Sequence, residues 1–185
     1  MDTHLCNTCQ LPGNECLCGK IADNIIIKSS NNIVDKAEET MKFAHIGQTR
    51  WDGSPYEEHP KRVVDILKNW GTTDENILAA AFLHDVLEDN REFTYTIIKD
   101  KFNEQIADMV VELTIKDKRK YFDQIKAMSD DSKLIKFADL LANITDMKGA
   151  GEDPIRAKRT MRKWVRGIRI VANVVQKRLE DEIFR

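Results

Sequence analysis

From about residue 32 onward, apolar residues recur at helical spacing, and helix-ending residues interrupt them at short intervals. Val34, Ala37, Met41 and Ala44, with His45, share one face of a helix predicted from Ile33 to Ile46, which Gly47 stops. A loop rich in turn formers follows, up to Tyr56. Pro60 suits the first position of the next helix, which carries Val63, Val64, Ile66, Leu67 and Trp70 and closes at Gly71. Thr72 with Glu75 has the pattern of a capping box and opens a third helix through Asp89. A short helix from Thr94 and a longer one after Asn103 place Ile97, Ile98, Phe102, Ile106, Met109, Val110 and Leu113. Another is predicted from Tyr121 to Met128, and the serines at 129 and 132 offer caps for one from Lys133 to about Met147. Gly149, Gly151 and Pro154 break the pattern before a long last helix. Strand alternation and internal repeats are both lacking, so the fold class is all-α, a compact helical bundle with short connections.

The first 31 residues do not share this rhythm. Residues 1–20 contain Cys, Gly and Pro without periodicity, and residues 21–31 read as a linker ending in a Ser/Asn breaker cluster. The chain has 185 residues, enough for one domain of 32–185 with a real core and a small appendage. Apolar residues at 42% and charged ones at 32% exclude a disordered polymer. Lys and Arg total 29 against 31 Asp and Glu, a formal net charge of −2, which argues against a bulk nucleic-acid or membrane binder. Apolar runs are too short to span a bilayer, and the N-terminus lacks the pattern of a secretory signal; a cytoplasmic protein is expected.

The densest chemistry lies in Leu83-His84-Asp85-Val86-Leu87-Glu88-Asp89. On one helix His84 and Glu88, and Asp85 and Asp89, are pairs four apart, so the four form one polar patch. Ala80 and Ala81 leave room one turn earlier. Carboxylates at a helix C-terminus oppose the macrodipole, so either a cation or catalysis accounts for them, or they form a solvated acidic end. His59 precedes Pro60 at a helix start, where the positive dipole end keeps an imidazole neutral; it is a metal ligand or a half-buried cap. Lys136, Asp139 and Asn143 share a face among Phe137, Ala138, Leu140 and Leu141. An acid buried there needs a cation, either Lys136 or a metal. Together His59, His84, Asp85 and Asp139 supply the nitrogen and oxygen donors that suit Mn²⁺, Fe²⁺ or Zn²⁺.

Three strings carry a resemblance: Ala44-His45-Ile46-Gly47-Gln48-Thr49-Arg50, continuing through Gly53, Pro55 and Tyr56 to His59-Pro60; then Leu83 to Asp89; then Lys136-Phe137-Ala138-Asp139 to Asn143. The segment Phe102 to Thr114 also fits, with Asn103 where glycine is common. With these the chain resembles the HD-domain phosphohydrolases, and within them the RelA/SpoT-type hydrolase domains and small alarmone hydrolases, over roughly residues 33–175. The resemblance implies a Mn²⁺-dependent hydrolase that removes pyrophosphate from the 3′ position of guanosine tetra- and pentaphosphate. By position, His59, His84, Asp85 and Asp139 would hold the metal. Glu88 and Asp89 would orient or activate water, and Arg50, Lys136 and Asn143 would bind the phosphorylated purine nucleotide, Arg50 against its base. Leu140 stands where the family's third motif usually has arginine. Trp51-Asp52 replaces a Lys or small polar pair, and Ile144-Thr145-Asp146 stands where a basic residue is frequent. The same chemistry on a dNTP, a modified nucleotide or NADPH is therefore the first alternative.

Three features lie apart from these strings. Cys6, Cys9, Cys16 and Cys18 fit a tetrahedral structural Zn²⁺, with His4 as a substitute ligand; two disulfides or free thiols are the alternatives. The run Lys116, Lys118, Arg119, Lys120 either attracts phosphates or is a solvated loop. The last helix is basic, with Arg156, Lys158, Arg159, Arg162, Lys163, Arg166 and Arg169, and is read as a wet face over a packed one that includes Trp164. A non-catalytic module that engages nucleic acid or protein through these two ends is the remaining alternative; Glu88 and Asp89 argue against it. The oligomeric state is not legible.

Overall fold

The computed structural model describes residues 32–50, 52–147 and 154–183. The four cysteines with their expected zinc, the linker, Trp51 and the break at Gly149 and Gly151 lie outside the described residues.

Among the described residues, nine α-helices and one 3₁₀ turn follow one another: α1 (Ile33–Ala44), α2 (Glu58–Asn69), α3 (Glu75–Leu83), α4 (Val86–Asp89), α5 (Tyr95–Lys101), α6 (Glu104–Leu113), the turn Lys118–Lys120, α7 (Tyr121–Ala127), α8 (Asp130–Asp146) and α9 (Pro154–Ile183). The all-α expectation holds. Several ends differ from it for local reasons. Helix α2 begins at Glu58, not Pro60, because the missing N–H of a proline is tolerated anywhere in the first turn. His59 therefore lies inside the helix. Asp74, not Thr72, caps α3, its carboxylate accepting from the Asn76 and Ile77 amides at 2.8 and 3.4 Å. Thr72 instead closes α2 by donating its amide to the Leu67 carbonyl at 3.1 Å. Ser129 caps α8 through the Ser132 amide, so that helix starts three residues before Lys133.

The largest departure is the third helix, predicted to run unbroken to Asp89. It stops at Leu83, and His84 and Asp85 form a turn before α4. The four polar residues there do not share a continuous helix surface.

Helix α3 is the centre of the core. Every residue from Ile77 to Leu83 is buried, as its apolar composition on all sides requires. Its alanines let α1 approach, while α2 and α6 pack on other sides of it. Helix α8 lies against α2 and carries α9 on its outer side. There Gly167 sits so close that a Cβ would lie 2.8 Å from Leu140 Cδ1. Val171 and Val175 continue this packed face, while Arg156, Arg159, Arg162 and Arg169 stay exposed, as expected of a wet basic side. No helix of the described residues is long and apolar enough to cross a membrane.

Leu67 is fully buried on α2, so Leu67→Ala is expected to lower unfolding free energy by about 2–5 kcal/mol in denaturant titration. Gly71, at φ +87°, ends the same helix in the left-handed region; Gly71→Ala is expected to cost roughly 1–2 kcal/mol in the same measurement.

Candidate active site

The end of α3, the first turn of α2 and the middle of α8 meet at one point. One ligand-type atom each from His59, His84 and Asp139 lies within 4.8 Å of the others, and all three residues are buried. His59 Nε2 is 3.1 Å and His84 Nε2 3.9 Å from Asp139 Oδ1, and the two rings meet edge to face. Asp85 joins from the turn, its Oδ2 3.0 Å from His84 Nε2. The interruption after Leu83 brings it there: successive residues of a helix point about 100° apart, and Asp85 at φ −103°, ψ −3° has left helical geometry. Of the four expected metal ligands, His59, His84 and Asp139 form one cluster, and Asp85 adjoins it through His84.

The surrounding contacts sort these groups by charge. Lys136 Nζ holds Asp139 Oδ2 at 2.7 Å, and Asn143 donates to Asp139 Oδ1. Burial alone would raise Asp139's affinity for a proton, but Lys136 and the two histidines push it well below the usual carboxylate range. Burial likewise opposes the charge on Lys136, and Asp139 more than restores it. Burial drives His59 down toward the neutral ring, against Asp139. Burial would lower His84 too, but Asp85 and Asp139 overcome it and lift the ring to about 9. The arrangement thus holds one neutral ring and one protonated ring against two carboxylates.

The donor chemistry fits a divalent cation. His84 Nδ1 is 2.7 Å from the Ala81 carbonyl, an acceptor only, so that nitrogen carries a proton. His84 Nε2 is buried and lacks a well-directed hydrogen bond, despite its 3.0 Å approach to Asp85. Its lone pair, once the second proton leaves, faces the same centre as His59 Nε2 and two carboxylates.

A tight loop sets the rim. Thr49 and Pro55 form an antiparallel bridge, and Gly53, at φ +86°, closes the turn by donating to the Arg50 carbonyl at 2.9 Å. Arg50 is thereby aimed at the end of α8, donating to Asn143 Oδ1 at 3.0 Å and pairing with Asp146 Oδ2 at 3.2 Å. Tyr56 follows, stacked on His45 at 4.5 Å, with its hydroxyl donating to Asp85 Oδ2. Burial, then the charge of Asp85, keeps that hydroxyl protonated.

A cleft of about 180 Å³ opens above the centre. Arg50 and Asn143 line it, as do Lys118 and Lys163 from the 3₁₀ turn and α9. Of the basic run, Lys118 thus faces the cleft, whereas Arg119 points into solvent beside Asp117. Lys163 Nζ lies 3.9 Å over the Tyr121 ring, and burial, with repulsion from Lys136 and Lys118, lowers its hold on a proton. Glu88 also lines the cleft and accepts the Ile115 amide at 3.3 Å. Burial, with repulsion from Asp85, raises both Glu88 and Asp89 above the usual carboxylate range. Asp89 lies 3.7 Å from His45.

Sequence reasoning gave no role to Tyr56, Arg62 or Asp146, which all touch this network. Asp146 carried a usable signal: it lies seven residues after Asp139, on the same face, at a helix C-terminus that disfavours an acid.

Comparison with known proteins agrees with this geometry. A family model described as HD domain matches residues 37–165. The guanosine-3′,5′-bis(diphosphate) 3′-pyrophosphohydrolase MESH1 of Xenopus tropicalis is 30% identical over 161 residues, which is 77% of this chain and 89% of that protein. The guanosine-3′,5′-bis(diphosphate) 3′-pyrophosphohydrolase of Aquifex aeolicus is 36% identical over 121 residues, and the bifunctional (p)ppGpp synthase/hydrolase SpoT of Escherichia coli 34% over 105. The matches cover 60% and 57% of this chain but only 17% and 14% of those longer proteins. A solved structure described as a metazoan ortholog of SpoT that hydrolyzes ppGpp superposes with a TM-score of 0.67 at 26% identity, covering 79% of this chain and 95% of that one. On the matched model, the full-length relative and the shared bundle, the chain belongs to the HD-domain family.

Proposed function

We propose that this protein is a divalent-metal-dependent hydrolase that removes pyrophosphate from the 3′ position of ppGpp and pppGpp. The observation that carries the reading is the cluster of His59, His84 and Asp139, with Asp85 against His84, beneath a cleft lined by Glu88 and by cations. The relatives that share this bundle and bear the name of that activity support it.

His59, His84, Asp85 and Asp139 would hold the metal, with Mn²⁺ as the proposed ion for this nitrogen and oxygen donor set. When bound, such an ion neutralises phosphate charge and acidifies water. The chain's own groups do the rest. Arg50, fixed by Asn143 and Asp146, presents a planar guanidinium to the base. Lys118 and Lys163, which also line the cleft, present charge to phosphates. Lys136 is first of all the partner of Asp139, and its place in the cleft wall lets it meet a phosphate as well. Water attacks the phosphorus joined to the 3′ oxygen; the bond between that phosphorus and the 3′ oxygen breaks, and the oxygen leaves as a hydroxyl by taking up the proton that water gives to Glu88. Glu88, with Asp89 beside it, accepts the proton from water, a role that its raised proton affinity favours. In the N-terminal segment, Cys6, Cys9, Cys16 and Cys18 are proposed to bind one structural Zn²⁺, which elemental analysis would count.

Leu140 favours a second reading. It is buried in the cleft wall and supplies no charge where a related motif carries arginine, which leaves room for the same chemistry on another phosphorylated nucleotide. A panel of ppGpp, dNTPs and NADPH, scored for phosphate and pyrophosphate release with Mn²⁺, decides between them. The expected result is pyrophosphate from ppGpp, abolished in Asp85→Ala. Turnover of NADPH or dNTPs alone would install the second reading, and no turnover with any divalent ion would defeat both.

The pH dependence of metal affinity has a definite sign. His84 is held protonated up to about 9, and the ion must displace that proton. Affinity for Mn²⁺ is therefore expected to climb as pH rises toward 9 and to level off above it. Calorimetry in buffers of differing ionisation enthalpy at neutral pH should register proton release on binding.

A further inference from the structure

The two histidines of the centre are held by unequal means. His84 has its remote nitrogen, Nδ1, on the Ala81 carbonyl at 2.7 Å. His59 Nδ1 is buried and has no hydrogen bond within the usual limits, yet Asp146 Oδ2 lies 3.5 Å from it. An imidazole can offer Nε2 to a cation only while Nδ1 carries the proton, and a buried N–H needs an acceptor. On the opposite side of the ring, Nε2 faces Asp139, which would prefer the other tautomer by accepting from Nε2–H. The two carboxylates therefore compete to set the ring's proton.

We infer that Asp146 is a positioning residue that fixes His59 as the Nδ1–H tautomer, so that Nε2 serves the metal centre. The inference rests on the metal-binding reading above. It goes beyond that reading in assigning a role to a residue outside the ligand set.

The placement of Asp146 supports this over a plain ion pair. Its side chain is 9% exposed, and it pairs both with Arg62, one turn past His59 on α2, and with Arg50 from the rim loop. Two guanidiniums on one carboxylate already satisfy its charge. They also fix its position against the helix that carries His59. Asp139, Asn143 and Asp146 repeat along one face of α8, so the same face supplies the ligand, its amide support and the acceptor behind the ring.

The isosteric variant Asp146→Asn makes the test sharp. Arg50 and Arg62 would claim its one carbonyl oxygen, turning the amide NH₂ toward His59 Nδ1 and forcing the opposite tautomer. Long-range proton–nitrogen correlation spectra of ¹⁵N-histidine-labelled protein with Zn²⁺ read the tautomer directly, and calorimetry with Mn²⁺ reads affinity. The wild type is expected to show His59 as Nδ1–H. Asp146→Asn is expected to lose that state and about 10- to 100-fold in Mn²⁺ affinity. Arg62→Met, which removes an ion pair but leaves the carboxylate, is expected to keep the tautomer and the affinity. Retention of both by Asp146→Asn would overturn the inference, as would an Nε2–H ring in the Zn²⁺-loaded wild type, which needs no variant to fold. Failure of the wild type to bind either cation would overturn the metal reading itself, and this role with it.

Discussion

Asp139 is a carboxylate at 4% exposure in the middle of a helix whose neighbours are core residues. A lone charge there would cost several kcal/mol, and everything within reach of it is arranged as compensation. Lys136 takes one oxygen; His59, Asn143 and the His84 ring gather at the other. Because these partners come from α2, α8 and the turn after α3, satisfying one acid ties together three parts of the bundle that are far apart in sequence. Fold and site are therefore not separable at this point: the contacts that make the acid tolerable also make the centre.

The cleft above it is lined by both signs of charge. Glu88 of α4 lies there with Asp85 and Asp139, and Arg50, Lys118, Lys136 and Lys163 come from the rim loop, the 3₁₀ turn, α8 and α9. The cations give the cleft a positive field beside its carboxylates. Leu140 is packed against Gly167 of α9, and Lys163, one turn earlier on that helix, lines the same cleft.

The helical fold and the cluster of His59, His84 and Asp139, with Asp85 beside it, were legible because they depend on periodicity and on residue types that have few other uses at such spacing. His59, His84, Asp85 and Asp139 read as a set, although each alone had an ordinary structural reading. What escaped was of two kinds. The end of α3 carries no glycine or proline, and the apolar run continues through Val86 and Leu87, so periodicity alone gives no reason to stop at Leu83. Tyr56 and Asp146 act through partners 29 and 84–96 residues away, and local pattern has no access to contacts of that range. Capping was misread at Thr72 for a related reason: two polar candidates lie two residues apart, and the amide of Thr72 is taken by the end of α2, which leaves the cap to Asp74.

The turn between α3 and α4 also bears on how this region can change over time. Adding or deleting one residue there would spin Glu88 and Asp89 by about 100° about their short axis while leaving His84 where it is. The two acids would then face solvent or core with every side chain still present. Length in this stretch is thus held more tightly than identity, and related chains should drift in composition around Val86 and Leu87 long before they admit a gap.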